Sequence, residues 1–312
     1  MTEMLTNLST AHPLDRLTED ESVAAVALVK ADTRYPPEMR FGSVNLHLPP
    51  KEEVTASITA GGVTAWERLE GVQASVILDE FFEAEAVIQA DPGFQAALAK
   101  RGITDMSLVT VDPWSAGNYG DPEENGARVL RALVWVHDQP GDNQYARPVD
   151  GLMVIVDLAN QKVVRVDDER VLPVPPQSAE WSRAFVDHQR TGVKPLEIVQ
   201  PEGPSFTVVG DRLSWQKWDL RVGWTSREGL VINTVTYADG DEVRPVRCRA
   251  SLAATPAPFG DPSSTQARKN AFDAGEYGLG MLANSLMLGC DCLGEIHYLD
   301  AHVCNAAGEV VR

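Results

Sequence analysis

The hydrophobic pattern changes period several times along the chain, and each change predicts an element. Residues 13 to 31, PLDRLTEDESVAAVALVKA, place Val23, Val26, Ala27 and Val29 at near-helical spacing. Thr18 with Glu21 three positions later reads as a capping box, so a helix starts there, and Pro36-Pro37 stops it. Three alternating stretches follow, FGSVNLHLP, EVTASITAGG and VTAWERLEG, with Pro49-Pro50 and Gly61-Gly62 at the turns, and these predict strands. The plan then recurs. Residues 78 to 101, LDEFFEAEAVIQADPGFQAALAKR, predict a helix pair or a helix broken at Pro92. SLVTVDPW, ARVLRALVWVHD, DGLMVIVDLA and KVVRVDD predict four strands, punctuated by Gly117, Gly120, Gly141 and Asp150-Gly151. Residues 1–77 and 78–175 therefore read as two α+β modules, each a helix laid on one face of an antiparallel sheet.

The pattern lapses next. Residues 172 to 205 hold six prolines and little periodicity, which predicts a linker (176–205) or an extended wrap over another surface. From 206 to 312 long runs rich in β-branched and aromatic residues predict a sandwich-type sheet. Trp218, Leu220, Val222 and Trp224 share one face at period two, and Asp239-Gly240 marks a hairpin.

Composition narrows the class. The chain has 312 residues, room for two or three domains, with 44% hydrophobic and 23% charged residues, as in a folded soluble protein. No apolar run approaches the ~18 residues of a membrane span. The first residues show no basic region followed by an apolar core, so no signal peptide is expected and a cytoplasmic location follows. A net charge of −18 argues against a nucleic-acid partner, which needs a basic face. It suits small cationic substrates, and equally suits simple solubility. Four cysteines, Cys248, Cys290, Cys292 and Cys304, are too few for a disulfide scaffold. Cys290-Asp291-Cys292 lacks the spacing of a zinc knuckle, and His297 and His302, five apart in an expected strand, read as ordinary surface or core residues.

One stretch invites a chemical reading. In NAFDAGEYGLG, residues 270 to 280, Asp273 and Glu276 sit among small and apolar neighbours. A carboxylate flanked by Phe272 and small residues is desolvated, which raises its pKa toward working pH and improves it as a base. An Asp in such a place also serves readily as a turn or cap residue.

Several segments carry a resemblance. QPEGPSFTVVGDRLSWQKWDLRVGW, REGLVI, RPVRCRASLA, FGDP, FDAGEY and the ANSL and LGCDCLGEIHYL stretches, with PVDGL at 148–152, resemble the copper-containing primary amine oxidases of the topaquinone type, bacterial branch. The resemblance implies two cystatin-like N-terminal domains followed by the opening part of a β-sandwich catalytic domain. It implies oxidation of a primary amine by oxygen to aldehyde, ammonia and hydrogen peroxide, in a homodimer. Asp273 matches the family's general base, which removes a proton from the substrate carbon next to nitrogen after the amine has condensed with the quinone. Tyr277 matches a tyrosine close to that base, and Glu276 reads as structural.

Departures matter as much. The family makes topaquinone from a tyrosine in T-x-x-N-Y-D/E and binds copper through H-x-H and a later His. Neither motif occurs here, and Asn118-Tyr119-Gly120 is a chance match. The expectation is an N-terminal part of a longer enzyme, inactive alone; the alternative is a non-catalytic truncated homologue acting as a binding or assembly module. Phe259 replaces a tyrosine before G-D-P and forfeits a hydroxyl worth ~3 kcal/mol where such a donor stabilises charge. Ala271 stands where an aromatic gate is usual and would open the channel to bulkier amines. Phe81, Trp114 and Tyr145 are the channel aromatics the resemblance suggests, fit to stack on an arylalkylamine. Phe81 on an amphipathic helix also reads as core, while Trp114, after Asp112-Pro113, is expected in a loop. Cys292 matches a disulfide cysteine whose partner would follow residue 312, so it is expected unpaired here, with Cys290 buried and reduced.

Overall fold

The structure is a computed structural model that describes residues 12, 14–45, 61–64, 73–115, 120–122, 124–177, 179–186, 190–252, 257–263, 270–271 and 278–311. It comprises two compact units. One is formed by Met1–Ser75, Pro195–Thr255 and Tyr277–Arg312, the other by Val76–Lys194 and Pro256–Glu276.

Helix α1 (Glu19–Ala31) starts as the sequence dictates. Glu21 N–H donates to Thr18 Oγ1 at 3.2 Å, and Thr18 N–H donates back to the Glu21 carboxylate at 2.8 Å. Most of the three strands expected after it lie outside the described residues. The described parts, 41–45 and 61–64, are turn and coil.

The second unit is built on helices α2 (Leu78–Gln89) and α3 (Pro92–Ala99). The break at Pro92 is real: Asp91 caps the new helix by accepting Phe94 N–H at 2.8 Å, and Pro92 occupies its first turn, where no N–H is needed. Strands β1 (Val109–Ser115), β2 (Val129–Val136), β3 (Arg147–Pro148), β4 (Leu152–Asp157) and β5 (Lys162–Asp168) follow. They form an antiparallel sheet in the order β1-β2-β4-β5, with β3 beside β2. Side chains alternate across a strand, so one face collects Val109, Val111, Leu130, Ala132, Val134, Leu152, Val154 and Val156. These close a core with Ala84, Ile88, Phe94 and Leu98 from the helices, most of them under 5% exposed. Burying each large side chain contributes about 1.5–3 kcal/mol. This is the helix-on-sheet module expected for this part of the chain.

In the first unit, β6 (Phe206–Val209), β7 (Arg212–Trp215), β8 (Trp218–Thr225), β9 (Gly229–Asp239) and β10 (Glu242–Ser251) form an antiparallel meander. The hairpin foreseen at Asp239-Gly240 joins β9 to β10, with Gly240 at φ +64°. A register shift between Asp219 and Arg221 interrupts the strict alternation of β8. β10 is an edge strand exposed throughout, and Pro245 beside its own bulge denies the edge one N–H.

Two short pairings complete the chain. In the second unit β11 (Ala257–Pro258) pairs with β12 (Asn270–Ala271). In the first, β13 (Val303–Cys304) pairs with β14 (Val310–Val311), and this hairpin meets α1. Lys30 Nζ donates to the Ala307 carbonyl at 2.5 Å, and Phe41 N–H to Ala306 at 3.0 Å. Residues 293–301 form no strand, so His297 does not sit in one as the pattern suggested, and His302 only precedes β13. No helix among the described residues is long and apolar enough to cross a membrane.

Candidate active-site segment

Asp273 and Tyr277, with Phe272 and Glu276, lie outside the described residues. What the structure shows is how both ends of their segment are held. On the N-terminal side, β12 delivers the chain two residues short of Asp273. Its partner β11 ends one residue before Phe259, with Ala257 opposite Ala271 and Pro258 opposite Asn270. The pairing is antiparallel, so F-G-D-P follows from the Pro258 end of the ladder and the chain toward Asp273 leaves from the opposite, Ala271 end, with 11 residues between the two strands in sequence. Ala271 is placed by this ladder. Phe259 is 52% exposed. Beyond it Asp261 accepts Ser263 N–H at 2.8 Å, and that bond holds the carboxyl below its ordinary range.

On the C-terminal side, Gly278-Leu279-Gly280 docks on the β8–β9 turn. Leu279 N–H donates to Arg227 O at 2.8 Å and Met281 N–H to Ser226 O at 2.7 Å. The approach is too close for side chains. A Cβ on Gly280 would fall 2.1 Å from Thr225 O, and one on Gly278, at φ +102°, 2.6 Å from Ser226 O. This explains why two glycines follow Tyr277, a signal the sequence carried as G-x-G.

The turn that receives them is itself pinned. Glu228 accepts Arg249 Nη1 at 2.8 Å, Ser251 Oγ at 2.5 Å and Thr225 Oγ1 at 3.2 Å. The Arg249 contact, followed by burial that opposes it and the Ser251 bond, leaves the Glu228 carboxyl at about 2. Ser226, almost fully buried, donates its N–H to Asn45 Oδ1 at 2.9 Å. None of these partners follows from local periodicity.

The three channel aromatics do not converge. Phe81 lies against the helix-side core. Trp114 is in β1 and not in a loop, because Asp112-Pro113 continues the ladder opposite Leu133 and Ala132. Proline is tolerated there because β1 is the edge of its sheet. Alternation puts Trp114 on the face away from Phe81, and its indole N–H donates to Asp112 Oδ2 at 3.0 Å. Tyr145, 40% exposed, meets Trp135 edge-on at 5.5 Å between ring centroids. Trp135 and the Trp114 partner Arg131 are four residues apart on β2, about 13 Å along the strand. The same sheet face carries a buried pair that sequence reading missed, Arg131 with Glu124. Its signal was the single Arg inside VLRALVWV.

Cavities of about 260 Å³ (around Phe206, Leu213, Val222 and Leu299) and about 410 Å³ (around Phe82, Glu85 and His137) are lined by none of the candidate residues. All four cysteines are free thiols, and Cys290 is exposed, not buried. It sits in a surface turn where no strand forms, so nothing covers it. Among the described residues no group of three or more His, Cys, Asp or Glu could hold a metal ion. The sequence holds six histidines and no H-x-H.

Comparison with known proteins gives the context. The family model "Copper amine oxidase, N3 domain" matches residues 79–184, and "Copper amine oxidase, enzyme domain" matches 207–312. The chain is 43% identical over 324 aligned residues to the primary amine oxidase of Arthrobacter sp. (strain P1), covering 96% of this chain and 50% of that protein. It is 36% identical to the histamine oxidase of Arthrobacter globiformis, covering 97% and 49%. A crystal structure of a copper-containing benzylamine oxidase from Hansenula polymorpha superposes with a TM-score of 0.78 at 27% identity, over 96% of this chain and 54% of that one. The chain thus spans about half the length of the curated relatives it matches. Two domain models in the family's order, the identities across nearly the whole chain and the shared α+β architecture agree, and the chain belongs to the copper amine oxidase family.

Proposed function

We propose that these residues serve a primary amine oxidase, an enzyme that converts a primary amine, oxygen and water to aldehyde, ammonia and hydrogen peroxide. The observation that carries this reading is the match of 207–312 to the family's enzyme domain, continuous with the identity to relatives named as amine oxidases. In this reading 1–77 and 78–175 are the two small α+β domains, 176–205 the linker, and 206–312 the opening part of the catalytic sandwich. Asp273 accepts the proton from the carbon next to the amine nitrogen, and Tyr277 orients it. On the C-terminal side of the segment, the docking of Gly278-Leu279-Gly280 on the β8–β9 turn holds the backbone that follows Tyr277. Phe259 and Ala271 shape the approach, and an arylalkylamine fits best beside Trp114 or Tyr145.

The donor set favours a second reading for the 312 residues taken alone, a non-catalytic module for binding or assembly. Copper and topaquinone, in the first reading, are held by residues other than these. One experiment separates the two. Peroxide release with 2-phenylethylamine is measured for the 312-residue chain and for the longest reading frame that contains it, both supplied with copper. The first reading expects release, and redox-cycling quinone stain, from the longer product only. Silence from both supports the second reading; activity of the 312 residues alone contradicts the donor-set reasoning.

A further inference from the structure

The turn that receives Gly278-Leu279-Gly280 is held from far away in sequence. Phe41 is seated first. Its N–H donates to Ala306 O at 3.0 Å, its ring stacks on Tyr35 at 6.0 Å between centroids, and Lys30 Nζ lies 5.7 Å from the ring centre. Four residues on, Asn45 reaches the β8–β9 turn. Its side-chain oxygen accepts both donors of Ser226, the N–H at 2.9 Å and the hydroxyl at 3.1 Å. A backbone N–H can only donate, so the Asn45 amide atom facing Ser226 is the oxygen. Ser226 is 4% exposed, so removing that oxygen strips a nearly buried N–H of its acceptor. The Ser226 carbonyl in turn accepts Met281 N–H at 2.7 Å. One residue thus links Asn45 to the backbone four positions after Tyr277.

We propose that Asn45 is a positioning residue for the proton abstraction assigned to Asp273. Through Ser226 it sets the turn against which the chain leaving Tyr277 is docked. The inference rests on the reading of Asp273 as the base. Asn45 acts on backbone alone, so it governs how well the base is aimed and leaves amine binding unchanged. The approach of Gly280 to Thr225 O, where a Cβ would fall at 2.1 Å, leaves little slack for the turn to shift. Glu228 and Arg249, joined at 2.8 Å, hold the same turn from β10, so loss of Asn45 loosens it without unfolding the sheet.

The test uses the longest reading frame containing this chain, loaded with copper, beside its Asn45→Ala and Asn45→Asp variants. Asn45→Asp keeps an acceptor oxygen in place. Deuterium exchange is expected to run about 10-fold faster over 278–285 in Asn45→Ala than in the parent or Asn45→Asp, with β2 and β4 unchanged. With 2-phenylethylamine, kcat of Asn45→Ala is expected to fall about 10–100-fold while KM stays within about two-fold. The isotope effect on kcat from deuterium at the reacting carbon rises, and Asn45→Asp recovers most of the loss. A mere loss of folded enzyme lowers kcat and leaves the isotope effect alone. Unchanged exchange over 278–285 overturns the proposal, as does an active parent whose Asn45→Ala variant keeps its kcat or its isotope effect. A parent that never turns over overturns the reading of Asp273 as base, and the positioning role with it.

Discussion

At the scale of single residues, Glu228 and Gly280 govern how the segment after Tyr277 is held. The folded Glu228 carboxyl, held at about 2, lies below the ordinary glutamate value of 4.5. Its contribution to stability is therefore complete above about 4.5 and is lost as pH falls toward 2, on the order of 2 kcal/mol after allowance for partial exposure. Glu228→Gln is expected to remove that contribution at pH 7 and to flatten the acid limb of urea-unfolding midpoints. An unchanged acid limb would show that the Arg249 contact does not hold in solution. Gly280→Ala forces a Cβ to within 2.1 Å of Thr225 O and is expected to cost about 1–3 kcal/mol in the same measurement. Residues of this kind were unevenly legible. Thr18 and Asp91 cap through neighbours three positions away, so their roles were readable or nearly so. Glu228, Ser226 and Arg131 are paired with groups from other strands or from loops, and no local period encodes such a pairing.

At the scale of elements, burial separates what stabilises from what merely forms. Ile88 and Leu98 are fully enclosed between the helices and the sheet of the second unit, whereas Val243 on β10 is 68% exposed. Ile88→Ala or Leu98→Ala is expected to cost about 2–5 kcal/mol, and Val243→Ala to stay within about 0.5 kcal/mol, by denaturant unfolding. Comparable losses at the three sites would mean that β10 is covered in solution. The helix break at Pro92 was legible because proline acts locally, and β1, β2, β4 and β5 because each is a short run rich in β-branched residues, most bounded by turn residues, although β2 and β4 are apolar almost throughout and do not alternate. The placement of Trp114 was not: Asp112-Pro113 looks like a loop, and an edge position is what admits it to a strand. The pairing of β11 with β12 was equally hidden, since strands of two residues carry no period at all.

At the scale of the whole chain, residues distant in sequence complete one another. Arg16 N–H and Nε donate to Asp211 at 2.7 and 2.8 Å, and Arg221 reaches Asp15 at 2.5 Å. Asp211 is 7% exposed, so residues 206–312 expressed alone would leave a nearly buried carboxylate without these donors. They would also keep the long open edge of β10. That fragment is expected to associate on size-exclusion chromatography and to be cleaved rapidly by protease, and a sharp, resistant monomer would go against this account. The family was legible from motifs spread over nearly the whole sequence; the proposed chemistry rests on fewer residues, and the proposal assigns the base to Asp273. The most direct test uses the longest reading frame containing this chain, loaded with copper, and compares kcat for 2-phenylethylamine between the parent and Asp273→Asn. A fall of about 10²–10⁴-fold, with quinone stain retained, is the predicted result for loss of a general base. A variant that turns over within a few-fold of its parent would contradict the assignment.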